Sequence, residues 1–281
     1  MKDVGIYLCA EVGISWDTKP RLKRLIKDCL QAGADAIKLQ LFDAGTIKDY
    51  PDELRERLTH MILSLADLNE ISVFVHANGG ELIVTPMFHG AMDVLAKMRP
   101  FPCDGFKVRA KDFTNLALLK EIITKAGDKP VYVSVPHDAE GDVPAVVDGT
   151  YQTVFSTNVS RIYCRPEYPP KVNKLNLYKA LVSNFNGISL HSNDWTVHAA
   201  ACAFHIGHEE QRPHEYIRRF YCEVHAMPEP GVPLDLSADT ENVVPEDTLR
   251  FQHPLDEAVS LTPADLAKLK KAIDMMESAI G

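Results

Sequence analysis

GIYLCAEVGISWDTKPRLKRLIKDCLQAGADAIKLQLF, residues 5–42, reads as one complete strand–helix–strand unit. Gly5–Val12 is a short apolar run with the alternation of a strand. Pro20–Ala32 then places Leu22, Leu25, Ile26, Cys29 and Leu30 on one helical face, and Gly33 stops the helix. Ala36–Phe42 alternates again as a second strand. Two strands separated by a helix pair in parallel, because the crossover returns the chain to the starting edge of the sheet.

The same unit recurs along the chain. Leu54–Ala77 reads as mostly helical and is closed by Asn78-Gly79-Gly80. The third strand is Glu81–Met87, followed by a short helix at Ala91–Met98. The fourth is Gly105–Ala110 with a helix at Asn115–Ala126, and the fifth is Pro130–Pro136. One short helix is expected near Val143–Val147. Arg161–Glu167 is the sixth strand, Leu175–Asn184 a helix, and Gly187–Ser192 the seventh strand. Asp194 caps a helix running to Phe204. Ile217–His225 is the eighth strand, Pro228–His253 (roughly 226–255 with its flanks) a long loop, and Pro263–Ile280 a final helix. Eight parallel strands in a chain of 281 residues predict an α/β fold of the closed (β/α)8 TIM-barrel type, which takes about 250 residues. One barrel domain is expected to span 1–281.

Composition narrows the function classes. Hydrophobic residues make up 46% and charged residues 25%, and 30 basic against 39 acidic residues give a net charge of −9. No broad basic surface for nucleic acid is expected. There is no run of about 18 apolar residues to span a membrane and no leader pattern ahead of the first strand. Six cysteines without CxxC spacing read as reduced thiols in a cytoplasmic protein. Cys9, Cys164 and Cys222, inside apolar runs, read as small hydrophobes.

Strand parity locates the chemistry. In a barrel strand the apolar alternate positions face the helices and the others face inward. Ile6, Leu8, Ala10 and Val12 point out, leaving Tyr7, Cys9 and Glu11 inside. By the same rule Lys38, Gln40, Thr85, Lys107, Arg109, Ser134, Ser189, His191, Tyr221, Glu223 and His225 point inward. Many stand near strand C-termini, where barrel active sites form. Lone buried charges cost several kcal/mol, so this cluster suits a phosphorylated or carboxylated ligand and a divalent metal. His191 and His225 could share one ion or serve as hydrogen-bonded core histidines. Lys38 and Lys107 could bind the ligand or pair with Glu11 and Glu223. Arg109 reads equally well as a barrel-layer ion pair. The remaining histidines, His198 and His205 among them, read as solvated. Trp16, Trp195 and Tyr168 read as packing residues.

On these residues the chain resembles the sialic acid synthases, also called N-acetylneuraminate synthases. Ala10-Glu11-Val12-Gly13 is similar to their AEIG segment, and Ala32–Gln40 (AGADAIKLQ) to AGADAVKFQ. Thr85-Pro86-Met87-Phe88 is similar to TPF. Phe106-Lys107-Val108, followed by Asp112 and Thr114–Leu119, is similar to FKI and DLTNLPLL. Glu167-Tyr168-Pro169 matches EYP, Gly187–Ser192 resembles GLSDHT, and Glu223-Val224-His225 resembles EKH. Pro254-Leu255-Asp256, with Ser260–Pro263, resembles the PDH and SLxP segments before the last helix.

The resemblance implies condensation of phosphoenolpyruvate with an N-acetylated amino-sugar aldehyde, similar to N-acetylmannosamine, to give a nonulosonic acid. It implies Glu11 as acid/base group and Lys38 and Lys107 on the phosphate and carboxylate of phosphoenolpyruvate. Thr85, Ser134, Tyr168 and Ser189 would add hydrogen bonds, with Gln40 and Asp256 at the substrate. His191 and His225 would ligate a divalent ion, Mn2+ before Mg2+ or Co2+. A homodimer is implied, and no antifreeze-like domain is expected after the last helix. The chain departs from the family pattern at Ala110 (serine), Pro166 (a polar residue) and Leu190 (aspartate). An aldolase or synthase with another aldehyde, or a non-catalytic ligand-binding barrel, is the alternative.

Overall fold

The computed structural model describes residues 5–98, 100–136, 158–165, 167, 169–178, 185–208, 219–229 and 256–280. Eight strands run β1 (Ile6–Glu11), β2 (Ala36–Leu41), β3 (Glu81–Pro86), β4 (Gly105–Val108), β5 (Val131–Pro136), β6 (Val159–Arg165), β7 (Gly187–Leu190) and β8 (Phe220–Ala226). Each pairs in parallel with the next, and β8 closes on β1 through Ile6↔Phe220 to Glu11↔His225. The architecture is the (β/α)8 barrel that the strand count predicted.

The helix α1 (Lys19–Gln31) buries Leu22, Leu25, Ile26 and Cys29, the face read from the sequence. It stops at Gly33, whose φ of +99° is open to glycine without strain. Between β2 and β3 the stretch from Leu54 to Ala77 is mostly helical, as expected, but broken in two. The segment between these strands holds α2 (Ala44–Ile47), α3 (Asp52–Thr59) and α4 (Leu65–Ala77). Ser64 caps α4 reciprocally with Asp67 and so starts a new helix. Met61 and Leu63, in the break, turn into the core. The other described helices are α5 (Ala91–Leu95), α6 (Leu116–Ala126), α7 (Trp195–Ile206) and α8 (Pro263–Ile280).

A ninth strand, β9 (Ser260–Leu261), pairs with β8 at His225↔Ser260 and Ala226↔Leu261. It continues the ladder of β8 beyond Ser189↔Glu223, where the β7 register ends. Two residues are too few to show a period, and the sequence reading missed it. The helix expected near Val143–Val147, most of Leu175–Asn184, the first residues of the eighth strand and most of the 226–255 loop lie outside the described residues.

Inside the barrel, Tyr7, Cys9, Ala36, Ile83, Ile162 and Tyr221 form a separate apolar cluster with Tyr132 against it. Tyr132 and Tyr221 stack with centroids 4.2 Å apart. This plug closes the barrel axis, so any inward polar residues beyond it along the strands face the C-terminal mouth. No helix among the described residues is long and apolar enough to cross a membrane.

Candidate active site

The centre of the site is Glu223, on β8 one inward step beyond Tyr221. Its carboxylate accepts from the Tyr221 hydroxyl at 2.7 Å and the Ser189 hydroxyl at 2.8 Å. The Lys38 ammonium lies at 2.9 Å and the Lys107 ammonium at 3.1 Å. Lys38 also pairs with Glu11, and Lys107 donates to Ser134 Oγ at 2.7 Å. All four charged side chains are buried. Two ammoniums against two carboxylates make a neutral quartet, which is how so much charge survives in a barrel interior.

Neighbouring strands enforce this grouping. Glu11 is level with Lys38 on one side and His225 on the other, and Ser189 is level with Glu223. Glu11 is held further by the Gly13 backbone N–H, which donates to Oε1 at 2.6 Å. A Cβ at residue 13 would stand 2.1 Å from that oxygen and 2.8 Å from Gln40 Nε2, so any larger residue there would displace the Glu11 and Gln40 side chains from this arrangement.

Electrostatics follow from burial and pairing. Burial alone would raise the carboxyl pKa of Glu223, but the Lys107 and Lys38 ammoniums, and then the Tyr221 hydroxyl, hold it well below the usual carboxylate range. Burial lowers the pKa of Lys38 against the pull of Glu223, and Lys107 lowers it further. His191 is pushed down to about 3, first by burial and then by its neighbour His225, so its imidazole is neutral.

The two imidazoles have centroids 4.9 Å apart. His191 Nδ1 lies 2.5 Å from the Arg165 carbonyl oxygen, which can only accept. His191 therefore carries its proton on Nδ1 and its lone pair on Nε2. His225 Nδ1 lies 3.2 Å from Asp256 Oδ2, which orients that ring in the same sense. Asp256 reaches the site because Ser260 of β9 donates to its backbone carbonyl at 2.8 Å. Burial would raise the Asp256 carboxyl pKa, but the His225 hydrogen bond together with the electrostatic pull of His225, His191 and Lys38 lowers it. Imidazoles oriented through Nδ1 by a carbonyl and a carboxylate are the usual support of metal-ligating histidines. This donor set fits a divalent ion held by two Nε2 atoms. No group of three or more His, Cys, Asp and Glu side chains placed to hold a metal occurs among the described residues.

Glu11, Lys38, Gln40, Lys107, Ser134, Ser189, His191, His225 and Asp256 all line one cavity of about 310 Å3. That is the lower end of the range for small-molecule pockets, about 300–1,000 Å3. Thr85 is fully buried on β3 in register with Gln40, and its Oγ1 has no hydrogen-bond partner among the described residues. It is not among the residues lining the cavity. Tyr168 and Pro166 lie outside the described residues. Trp16 packs as expected, its indole N–H donating to the Gly13 carbonyl at 2.9 Å.

Several readings change. Arg109 pairs with Asp112 of the turn after β4, not across a barrel layer, and it borders the cavity. All six cysteines are free and buried, Cys164 among them, and Cys164 also lines the cavity. Parity along β6, where Ile162 joins the inner cluster, would have pointed to it. His198 and His205 are buried and not solvated. His198 Nε2 contacts the Ser192 carbonyl at 3.0 Å, and His205 stacks on Phe220 with centroids 3.8 Å apart. Both stand on the face of α7 that packs against β8, where periodicity, not polarity, sets exposure. Glu223, inward by parity and expected as a possible lysine partner, pairs with both Lys38 and Lys107 and also gathers Tyr221 and Ser189.

Fold and site together define a closed parallel barrel with a charged small-molecule site at the C-terminal ends of its strands. A family model described as the NeuB family matches residues 25–207, and the chain belongs to that family. It is similar in fold to the N-acetylneuraminic acid (sialic acid) synthetase of Leptospira borgpetersenii serovar Hardjo-bovis. The TM-score is 0.74 at 16% identity, covering 99% of this chain and 85% of that one. The spore coat polysaccharide biosynthesis protein SpsE of Bacillus subtilis gives a TM-score of 0.71 at 19% identity, covering 98% of this chain and 69% of that one. The uncharacterized protein MJ1065 of Methanocaldococcus jannaschii is 28% identical over 183 residues, 64% of this chain and 52% of that protein. The match thus spans about half the length of that curated relative.

Proposed function

We propose that this barrel is a phosphoenolpyruvate-dependent synthase that joins phosphoenolpyruvate to an N-acetylated amino-sugar aldehyde, forming a nonulosonic acid. The observation that carries the reading is the neutral Lys38, Lys107, Glu11 and Glu223 quartet lining a 310 Å3 cavity beside two oriented imidazoles. A structural ion-pair layer would be closed, whereas these ammoniums reach a cavity wall. Lys38 and Lys107 would turn part of their charge toward the phosphate and carboxylate. Ser134 and Ser189 would contribute hydroxyl donors. His191 and His225 would hold the divalent ion, Mn2+ in the first instance, which when bound supplies Lewis-acid polarisation of a carbonyl oxygen.

In the reaction a bond forms between the methylene carbon of phosphoenolpyruvate and the aldehyde carbon. The aldehyde oxygen gains a proton and becomes a hydroxyl. Water adds to the carbon that bears the phosphate, and the bond from that carbon to the phosphate oxygen breaks, releasing inorganic phosphate and leaving a ketone. Glu11, held by Gly13 and Lys38, would hold and move a proton at the reacting carbonyl. Gln40 and Asp256 would orient the acceptor. The reading includes a cytoplasmic location, supported by six buried free thiols, and a homodimer.

The direct test is phosphate release from phosphoenolpyruvate with a panel of amino-sugar aldehydes, with and without Mn2+. Release that depends on an aldehyde supports the synthase. No release with any aldehyde moves the assignment to an aldolase or a ligand-binding barrel, a reading to which Ala110, which brings no hydroxyl to the cavity wall, would then belong.

Two variant pairs test the roles separately. His191→Ala and His225→Ala are expected to abolish Mn2+ binding in calorimetry while the far-ultraviolet circular dichroism stays that of the parent. Unchanged Mn2+ affinity in both would remove the ion from this site. Lys38→Ala and Lys107→Ala are each expected to weaken phosphoenolpyruvate binding by about 1.5–3 kcal/mol, the range of a hydrogen bond to a charged group. Parent-like affinity would make both lysines structural partners of Glu11 and Glu223.

A further inference from the structure

β4 and the turn after it bring two basic side chains to the same wall of the cavity. Lys107 belongs to the quartet, and Arg109, two residues on, does not. The backbone of Arg109 is still extended, with φ −72° and ψ 154°, so the alternation of the strand runs through it and both side chains leave on the same side. Asp112, three residues further, accepts from Arg109 Nε and holds the guanidinium by that edge. The turn itself is fixed by the Asp112 N–H, which donates to the Arg109 carbonyl at 3.0 Å. The two side chains are 18% and 14% exposed, so water and salt screen this charge little. Lys111 also lines the cavity but is exposed, and Ala110 between them has no hydrogen-bonding side chain.

A guanidinium has five N–H donors, four of them on its Nη atoms, in a planar fork that matches two oxygens of a phosphoryl group. The ammoniums of the quartet already face Glu223 at 2.9 and 3.1 Å, so an incoming anion has to share them with a carboxylate. We propose that Arg109 is a binding residue for the phosphoryl group of phosphoenolpyruvate, with Asp112 as its positioning partner. This rests on the synthase reading above and adds a residue to its anion site. It also separates that reading from an aldolase that takes pyruvate, which has no phosphoryl group to offer the fork.

The test titrates inorganic phosphate and phosphoenolpyruvate separately into the full chain with Mg2+ by calorimetry, for the parent, Arg109→Gln and Asp112→Asn. Arg109→Gln is expected to weaken both ligands about 10–100-fold, the loss of hydrogen bonds to a charged group. Asp112→Asn keeps an oxygen for Nε and removes the competing charge, so both ligands should bind as tightly as to the parent, or more tightly. An ion pair that only braces the turn predicts otherwise: both variants lose melting temperature together, and phosphate affinity falls in neither or in both alike. If Arg109→Gln does not fold, Arg109→Lys, which keeps the charge and loses the fork, decides by the same phosphate measurement, with a smaller loss expected. Parent-like phosphate affinity in the deciding Arg109 variant, an equal loss in Asp112→Asn, or no phosphate binding by the parent overturns the proposal. Phosphate binding that depends on Arg109, with phosphoenolpyruvate bound no more tightly than phosphate, overturns the synthase reading instead and leaves the phosphate site at Arg109 standing.

Discussion

Glu11→Gln is expected to lower turnover by about 10²–10⁴, the usual weight of a positioned acid/base group. The substitution keeps the side-chain shape and keeps an oxygen for the Gly13 N–H, which donates to Oε1 at 2.6 Å. It removes the exchangeable proton site. The fold should survive, because Lys38 retains Glu223 at 2.9 Å as a charge partner. The rate effect therefore separates from binding: Mn2+ and phosphoenolpyruvate affinities should stay within a few-fold of the parent, while kcat for phosphate release falls. A structural role predicts the reverse split, with stability or affinity moving and kcat preserved. Parent-like turnover of Glu11→Gln with a productive acceptor would reduce Glu11 to a partner of Lys38.

The second large effect concerns Glu223 and appears in stability. Glu223→Ala leaves Lys38 and Lys107 buried with Glu11 as the remaining carboxylate of the quartet. It also strips the Tyr221 and Ser189 hydroxyls of their acceptor. Breaking a buried ion pair from one side costs about 3–5 kcal/mol, because an uncompensated charge remains in the interior. Urea unfolding of the metal-free protein should register that loss. Because the folded-state pKa of Glu223 is depressed, the unfolded chain takes up its proton first as pH falls. Its contribution is thus fully present above the unfolded value near 4.5 and is lost as pH drops toward the folded-state value. The parent should lose stability below about pH 4.5 more steeply than Glu223→Gln, which has no carboxyl to protonate there. A Glu223→Ala variant within 1 kcal/mol of the parent, or parallel acid profiles for parent and Glu223→Gln, would show that the quartet is not held together by this carboxylate.

The barrel and the membership of its inner face were legible in the sequence because they depend on local periods. Side chains alternate from one residue to the next in any strand, so an apolar Ile6, Leu8 and Ala10 already commits Glu11 to the interior. The same arithmetic brought Lys38, Lys107, Ser134, Ser189, His191 and His225 to one cavity. The helical face of α1 and its stop at Gly33 were equally local. Partnerships were different. That Glu223 gathers Lys38, Lys107, Tyr221 and Ser189 depends on how β8 closes against β1 and β7, contacts between residues up to 185 positions apart. That Asp256 orients His225 across 31 positions depends on the two-residue strand β9, too short to carry a period. The break between α3 and α4, the burial of His198 and His205, and the exposure of Cys164 to the cavity were decided by packing against other elements. Alternation and helical spacing are set by bonds between neighbouring residues and can be read along the chain. Ion-pair choice, ring orientation and cavity walls arise only when the closing sheet brings distant residues within hydrogen-bonding range.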